Sequence, residues 1–475
     1  MGLTTGIEHL TPSPSKGQLF QGNYITNFDF TNQFLPDVYE KQAEIYGNRS
    51  IGSFLKLVSA EMPSASDEIR WVEQGRLHVA YKNVTGISGD VFTVGLEANP
   101  DATAYPAAAA AAIRVGQTIM VQAITAAGVH TGPVLKGIVT VAGAAASGDT
   151  STFTAKCLEA ANWNGAINAS NRSKYHVLVY GSEFAKGTDG MTGSIDASYS
   201  SYTNKPMILK DNYQINGSDT AQIGWIEVTS ENGASGYLWY LQSEHETRQR
   251  FEDYLEMSMI ESVKSTQAAS PGGGTEGLFA ALTGRGNVYT DLSTELATNM
   301  DGFDTILKQL DKNGAVEENM LYIDKSLSLA IDDALAAKNS YGTGGTSYGV
   351  FNNSEEMALN LGFSGFRRGG YDFYKTDWKY LNDFGTRGLF SDIEGVLIPA
   401  GTSTVYDQEL GQNIKRPFLH VRYRASETDD RKMKTWITGS VGGSYTTTTD
   451  EMRVSFLSER CLIVQGANNF FLLKD

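Results

Sequence analysis

The sequence predicts an α+β fold on a mixed sheet, with a β-rich domain inserted into a long two-stranded excursion and a long helix after it. Three observations carry this. A charged, strand-like segment at 67–76 runs into an Ala- and Gly-rich, low-charge stretch of apolar alternation between about 84 and 190. Phe251, Leu255, Met259 and Val263 then recur at four-residue spacing, the period of a helix face. From Thr290 onward, helical and strand patterns alternate.

Composition bounds the rest. A chain of 475 residues exceeds one compact core and suggests roughly two to four units. With 41% hydrophobic and 19% charged residues it lies in the globular range. Fifty glycines against eleven prolines imply many turns and close backbone approaches, which suits a β-rich or mixed protein. The formal net charge is −16, from 54 acidic and 38 basic residues, and argues against affinity for nucleic acid, whose phosphates need a positive surface. Cys157 and Cys461 are distant in sequence and form no CxxC pair; both read as small core residues in a reducing compartment. No apolar run is long enough to cross a membrane, and the N-terminus lacks the basic and apolar regions of a signal peptide. The chain begins at Met1, read here as a front end from which no propeptide is removed.

Taken in order, residues 1–35 read as an arm in which Phe20, Tyr24, Phe28, Phe30 and Phe34 interrupt Gly, Ser, Thr and Asn. Extended, 20–35 would span ~50 Å at ~3.3 Å per residue, against a radius of gyration of ~23 Å for a compact body of this size. The arm can reach past its own subunit into a neighbouring groove, or strap its own surface. Residues 36–61 look helical, with Pro36 suited to a first turn and Gly47 and Gly52 suggesting a bend. Residues 62–76 give an outgoing strand whose faces, Ile69, Trp71 and Glu73 against Glu68, Arg70 and Val72, are not apolar enough to stand alone. Its ionic residues Arg70, Glu73 and Arg76 are therefore expected to pair with another subunit. A strand-like run at 224–228 is read as part of the return.

The helix at 241–265 would be ~35 Å long at ~1.5 Å per residue, with Glu244/Arg248 and Glu246/Arg250 as i,i+4 pairs. The run 271–274, Pro-Gly-Gly-Gly, ends it. A helix through Leu296, Met300, Ile306, Leu307 and Leu310 follows, then a strand at 320–323, a helix at 327–337, a glycine-rich loop from Gly342, and strands at 395–398, 418–423 and 460–464.

There is no GxxxxGK[ST] and no HExxH, and the six histidines are scattered. Arg367 and Arg368, among Phe363, Phe366, Tyr371 and Phe373, could stack on bases; in so acidic a chain, a contact between subunits is the better reading. Asp429, Asp430 and the basic run 431–434 form a charge switch, either a solvated turn or an ion pair between subunits.

This order of elements resembles the HK97-fold major capsid proteins of tailed bacteriophages. The run 177–191, Val-Leu-Val-Tyr-Gly-Ser-Glu-Phe-Ala-Lys-Gly-Thr-Asp-Gly-Met, is similar to the end of the insertion domain in capsid proteins of crAss-like phages. The resemblance implies an N-terminal arm at 1–35, a helical segment at 36–61, and an E-loop at 62–240 holding an insertion domain at about 84–190. A spine helix and peripheral domain at 241–300, an axial domain at 300–400 and return strands at 401–475 would follow. It further implies a non-enzymatic protein without cofactor or metal that assembles into pentamers and hexamers of an icosahedral head. Such a head forms in the bacterial cytoplasm around double-stranded DNA, which is held without sequence-specific binding. Portal, scaffolding and auxiliary or decoration proteins would be partners, and no membrane is involved. Some relatives join a Lys to an Asn; no pair here is singled out for that role. Phe28, Phe30, Phe34, Arg70, Trp71, Glu73, Arg76, Glu244, Arg248, Arg367 and Arg368 are the expected interface residues. The competing class is an extracellular or tail-associated carbohydrate-binding module, in which Trp163, Tyr175 and Tyr180 of the insert offer stacking faces.

Overall fold

The computed structural model describes residues 60–95, 110–125, 129–146, 150–163, 174–195, 199–220, 227–229, 235–265, 273–296, 300–338, 365–390, 392–400, 402–407, 412–441 and 445–475. Side chains are described for all of these except 86–88, 220, 227–229, 235–242, 335–338, 402–407 and 412–416. The arm with Phe28, Phe30 and Phe34, the helical segment at 36–59 and the loop from Gly342 lie outside the described residues.

The strands are, in chain order, β1 (Ala60–Ser64), β2 (Ile69–Gln74), β3 (Ala80–Ser88), β4 (Val91–Val94), β5 (Gln117–Ile124), β6 (His130–Ala146), β7 (Thr150–Cys157) and β8 (Lys174–Ser182). Then come β9 (Tyr199–Asn204), β10 (Met207–Asn216), β11 (Glu227–Thr229), β12 (Ser235–Tyr237), β13 (Asn287–Thr290), β14 (Glu318–Ile323), β15 (Gly365–Arg368) and β16 (Tyr371–Asp377). The last are β17 (Ile393–Pro399), β18 (Thr402–Asp407), β19 (Gln412–Pro417), β20 (Leu419–Arg424), β21 (Lys434–Gly439), β22 (Glu451–Val464) and β23 (Phe471–Lys474). The principal helices are α1 (Leu238–Glu261), α2 (Leu278–Arg285), α3 (Leu292–Leu296), α4 (Asp301–Asn313) and α5 (Lys325–Lys338).

Two mixed sheets form the body. In the first, β22 is the axis. Its early part lies between β10 and β21, and its later part pairs with β20, which in turn takes β1 in parallel. The second runs β13-β23-β17-β14-β16-β15, with β13/β23 and β14/β16 parallel. Strand alternation divides its side chains between two cores. Leu321, Ile323, Leu397, Phe471 and Leu473 pack with α3, α4 and α5 through Leu292, Leu296, Phe303, Ile306, Leu310, Leu327 and Ile331. Tyr322, Val396, Ile398 and Leu472 face the other way, into a core shared with α1, α2 and the first sheet through Met259, Ile260, Leu278, Leu282, Val421 and Leu462. Because both faces of β17 are covered, all seven of its positions are buried; six are apolar or glycine, and the exception, Glu394, accepts from the Ser293 hydroxyl. Helix α4 ends on Gly314, whose φ of 64° is the left-handed geometry of a helix stop that glycine adopts without strain.

The insert closes into a barrel, β3-β4-β7-β6-β5-β8, with β8 pairing back onto β3. Val84, Phe92, Ile119, Val121, Leu135, Phe153 and Val177 fill its interior around the fully buried Trp163. Phe92 stacks on Phe153 at 4.9 Å and meets Trp163 edge-on at 5.3 Å. The indole Nε1–H donates to the Ala155 carbonyl at 2.5 Å. A Cβ on Gly137 would lie 2.4 Å from the indole, so glycine makes room for the ring there.

Several expectations change. The excursion does not begin at 62 and end at 240: β1 and β10 are strands of the first sheet, and only β2 and β9 form the ribbon. The partner of the outgoing strand is β9, not the run at 224–228, of which 227–228 pair with β12. The barrel's first strand starts at Ala80 and its last ends at Ser182. Helix α1 stops at Glu261, leaving Val263 65% exposed instead of continuing the apolar stripe. The helix expected through Leu296 and Leu310 is two, α3 and α4. Cys461 is buried as expected, whereas Cys157 is only half-buried, against the barrel core.

Candidate functional site

The ribbon reaches the barrel from a root built by residues far apart in sequence. Pairing of Trp71 with Tyr202 places both on one ribbon face, together with Ile69. That face sits on the side of β22 turned away from α1, against Cys461 and Ile463. Burial pushes the Cys461 thiol up to about 12, so it is neutral packing rather than a nucleophile. Arg285, at the end of α2, lies 4.5 Å from the Tyr202 ring centre and 5.5 Å from that of Trp71. Its guanidinium meets Glu276 at 3.0 Å and Glu73 at 3.7 Å. Glu73 Oε1 also accepts from the Trp71 indole N–H and the Gly466 amide, each at 3.0 Å.

Asn204 closes the root and is fully buried. Its amide nitrogen donates to the carbonyls of Leu462 (2.7 Å) and Glu276 (3.0 Å). Its carbonyl oxygen accepts from the Glu276 and Lys205 amides and from the Thr275 hydroxyl at 2.9 to 3.1 Å. A buried amide with every group paired fixes position as well as energy. The opposite ribbon face is open, with Val72 58% and Tyr199 65% exposed.

A second cluster holds the far end of α1. Glu261 accepts from the Tyr380 hydroxyl at 2.7 Å and from Arg387 at 2.8 Å, and Arg387 also reaches both oxygens of Asp392 at 2.7 and 2.8 Å. Burial, the hydrogen bond and the charge of Glu261 hold the Tyr380 phenol well above its ordinary value. Beside it, Phe384, Leu389 and Phe390 are 79%, 57% and 61% exposed.

The expected interface residues fare unequally. Trp71 is 7% exposed and committed to its own chain. Glu73 is engaged there too, and Arg76 donates to the Lys312 carbonyl at 3.2 Å. The ribbon has an apolar seat on β22 beside which Glu73 is engaged, whereas Arg76 is exposed and reaches α4. Arg70 stays 67% exposed and, among the described residues, meets only Glu68, at 3.2 Å. Arg248 pairs forward with Glu252 at 3.4 Å rather than back to Glu244, and Arg250 crosses to Asp211 on β10 at 3.8 Å. Arg368 joins the β15–β16 hairpin to α4 through Asp304 at 2.6 Å, and Arg367 meets Asp372 at 3.5 Å. The charge switch folds onto the chain as Lys434–Asp429 (2.7 Å), Arg431–Glu459 (2.6 Å) and Lys432–Glu61. Trp163 lies inside the barrel and cannot stack on a sugar. Sequence reasoning missed Asn204, Arg285 and Glu276, whose partners lie up to 258 positions away. Among the described residues, no group of three or more His, Cys, Asp or Glu could hold a metal ion, and no helix is long and apolar enough to cross a membrane.

No family model matches the chain, and no curated protein matches it. Its neighbours among solved structures include phage structures and capsids. A structure of Microbacterium phage Oxtober96 is 8% identical, covering 95% of this chain and 99% of its own, with a TM-score of 0.39. The capsid of a native GTA particle is 8% identical over 92% of this chain and 94% of its own, with a TM-score of 0.40. The mature capsid of bacteriophage PhiM1 is 10% identical over 62% of this chain and 78% of its own, with a TM-score of 0.33.

Proposed function

We propose that this chain is a major capsid protein of a tailed phage, of HK97 type and, by its 177–191 run, of the crAss-like kind. Copies would join as pentamers and hexamers of an icosahedral head enclosing double-stranded DNA. The observation that carries this is the barrel's independence. Among the described residues its core draws on 79–179 and on neither body sheet, yet it is held on a two-stranded ribbon whose root is locked by Asn204 and Arg285. A self-sufficient domain on a fixed outrigger is placed to meet neighbours. So are the outer ribbon face, with Arg70, Val72 and Tyr199, and the apolar loop at Phe384. Permanent assemblies bury about 2,000–5,000 Å² per interface, and most of the gross gain is offset by lost freedom, so closure depends on each subunit meeting several others.

In this reading Phe28, Phe30 and Phe34 belong to a strap laid across a sister subunit, Arg367 is a capsomer contact, and portal, scaffolding and decoration proteins are external partners. Packaged DNA is enclosed without being read. Electron microscopy of the overexpressed chain tests it. Closed shells of uniform size are expected, and the same chain lacking residues 1–30 should give folded subunits without shells. A protein that sediments as a monomer at high concentration sinks the reading.

A further inference from the structure

The chain carries 54 acidic residues, yet the six barrel strands contain no Asp or Glu. They contain Lys82, Lys136, Lys156 and Lys174, with His130 and His176. The negative surplus of −16 therefore lies entirely outside these strands.

Most of this positive charge gathers on one wall, β3-β8-β5-β6. The side chains of Ile119, Val121, Leu135 and Val177 point into the barrel, so their neighbours Met120, Gln122, Val134, Lys136, His176 and Leu178 point out. Lys82 and His176 stand beside Gln122 across the pairing of β3, β8 and β5. His130 joins them, its ring centre 5.2 Å from that of His176. Between these groups lies an open concavity of about 310 Å³, lined by Lys82, Met120, Gln122, Val134, His176 and Leu178 among others. Val134 is 47% and Leu178 38% exposed, and no ion pair holds Lys82 or Lys136 among the described residues.

An apolar hollow beside two lysines that no ion pair holds among the described residues is the chemistry of a protein interface with an anionic partner. Nucleic acid fits it less well. The wall carries no arginine, and its hollow is floored by aliphatic chains where a stacking or phosphate-tracking surface would present arginine and aromatic rings. The one partner whose anionic surface follows from the sequence itself is another copy of this chain.

We propose that this wall docks onto the acidic surface of a second copy. The docking rests on the assembly reading above and assigns it a face. It is heterologous, cationic barrel against anionic body, and such contacts close into rings or continue around a shell.

The test mixes unassembled full-length chains of two isotopic labels, lets them associate at low salt, and joins touching lysines and carboxylates with a carbodiimide. Lys82 or Lys136 should be linked to carboxylates of the other label. These links should fall at least tenfold in a Val134→Asp/Leu178→Asp variant, which keeps every lysine and alters only exposed positions. Raising salt to about 0.5 M should weaken them similarly, since exposed charges are then screened within a few Å. Links confined to one label, links indifferent to the variant, or lysines protected by co-purifying nucleic acid would overturn the proposal. Microscopy of the same sample separates the two readings. Shells without mixed-label links overturn only the docking face, and mixed-label links in irregular oligomers overturn only the capsid.

Discussion

The barrel and the ribbon root are held together by opposite means. The barrel relies on an apolar core of Phe92, Phe153, Trp163 and aliphatic side chains, with lysines outside. The root is a buried polar knot of Asn204, Glu276, Arg285 and Glu73 beneath two aromatic rings. Apolar burial is non-directional and tolerates a domain that reorients as a unit. A fully paired amide permits one geometry only. The pattern suits a body that fixes where the outrigger leaves and an outrigger whose tip folds by itself.

Trp163→Ala should break this contrast most sharply. Removing a fully buried indole costs about 3–5 kcal/mol, and all of it should fall on the barrel. Calorimetry should then show a low-temperature transition for the barrel with the body transition unmoved. A single transition shifted as a whole would mean the two regions are one cooperative unit.

Arg285→Ala should have the complementary effect, about 1–3 kcal/mol through the lost cation–π and charged contacts, felt at the root. The cost stays below that of a fully buried pair because Glu73 and Glu276 keep 25% and 21% of their side-chain exposure. Hydrogen exchange of the amides at 199–204 should accelerate while barrel amides stay protected. Equal acceleration in both would show that the root supports the barrel fold.

The two regions also differed in legibility. Alternation in 91–94, 113–121, 134–141 and 153–157 announces a β-rich insert, though not whether it closes as a barrel, because neighbouring residues alone decide which way each side chain points. The core of β17 at 395–398 is readable on the same local grounds, whereas periodicity runs α3 and α4 together. Nothing local announces that Asn204, ahead of Lys205 and Pro206, will bind the Leu462 carbonyl, or that Trp71 has its apolar partner at Ile463. Read from the sequence alone, the ribbon therefore has no visible apolar support. Helix pairing failed for a related reason: periodicity offers Arg248 both Glu244 and Glu252, and cannot choose between them.

A smaller effect sharpens the surface side of the comparison. Arg70 is 67% exposed and, among the described residues, pairs only with Glu68, itself 39% exposed. Exposed pairs contribute about 0–1 kcal/mol, so Arg70→Ala should leave the melting of the isolated subunit almost unchanged. If the outer ribbon face meets a neighbour, the same substitution should still slow shell assembly, followed by light scattering. Unchanged assembly kinetics would remove Arg70 from the interface.

The subtlest prediction concerns pH. Burial, then the charges of His130 and Lys82, hold the His176 imidazole below its ordinary value of 6.5. The folded barrel thus binds this proton less readily than the unfolded chain. The contribution is fully present above pH 6.5 and is lost as pH falls below it. The barrel transition of unassembled subunits should drop between about pH 8 and about pH 5, and drop less in His176→Gln. Identical slopes in the two proteins would remove His176 as the cause. The sign should weaken or reverse once copies associate through this wall, because a carboxylate facing His176 favours the protonated ring that the free barrel disfavours. Acid would then loosen the lone subunit while tightening the contact, an opposition that a barrel serving only as a spacer would not produce.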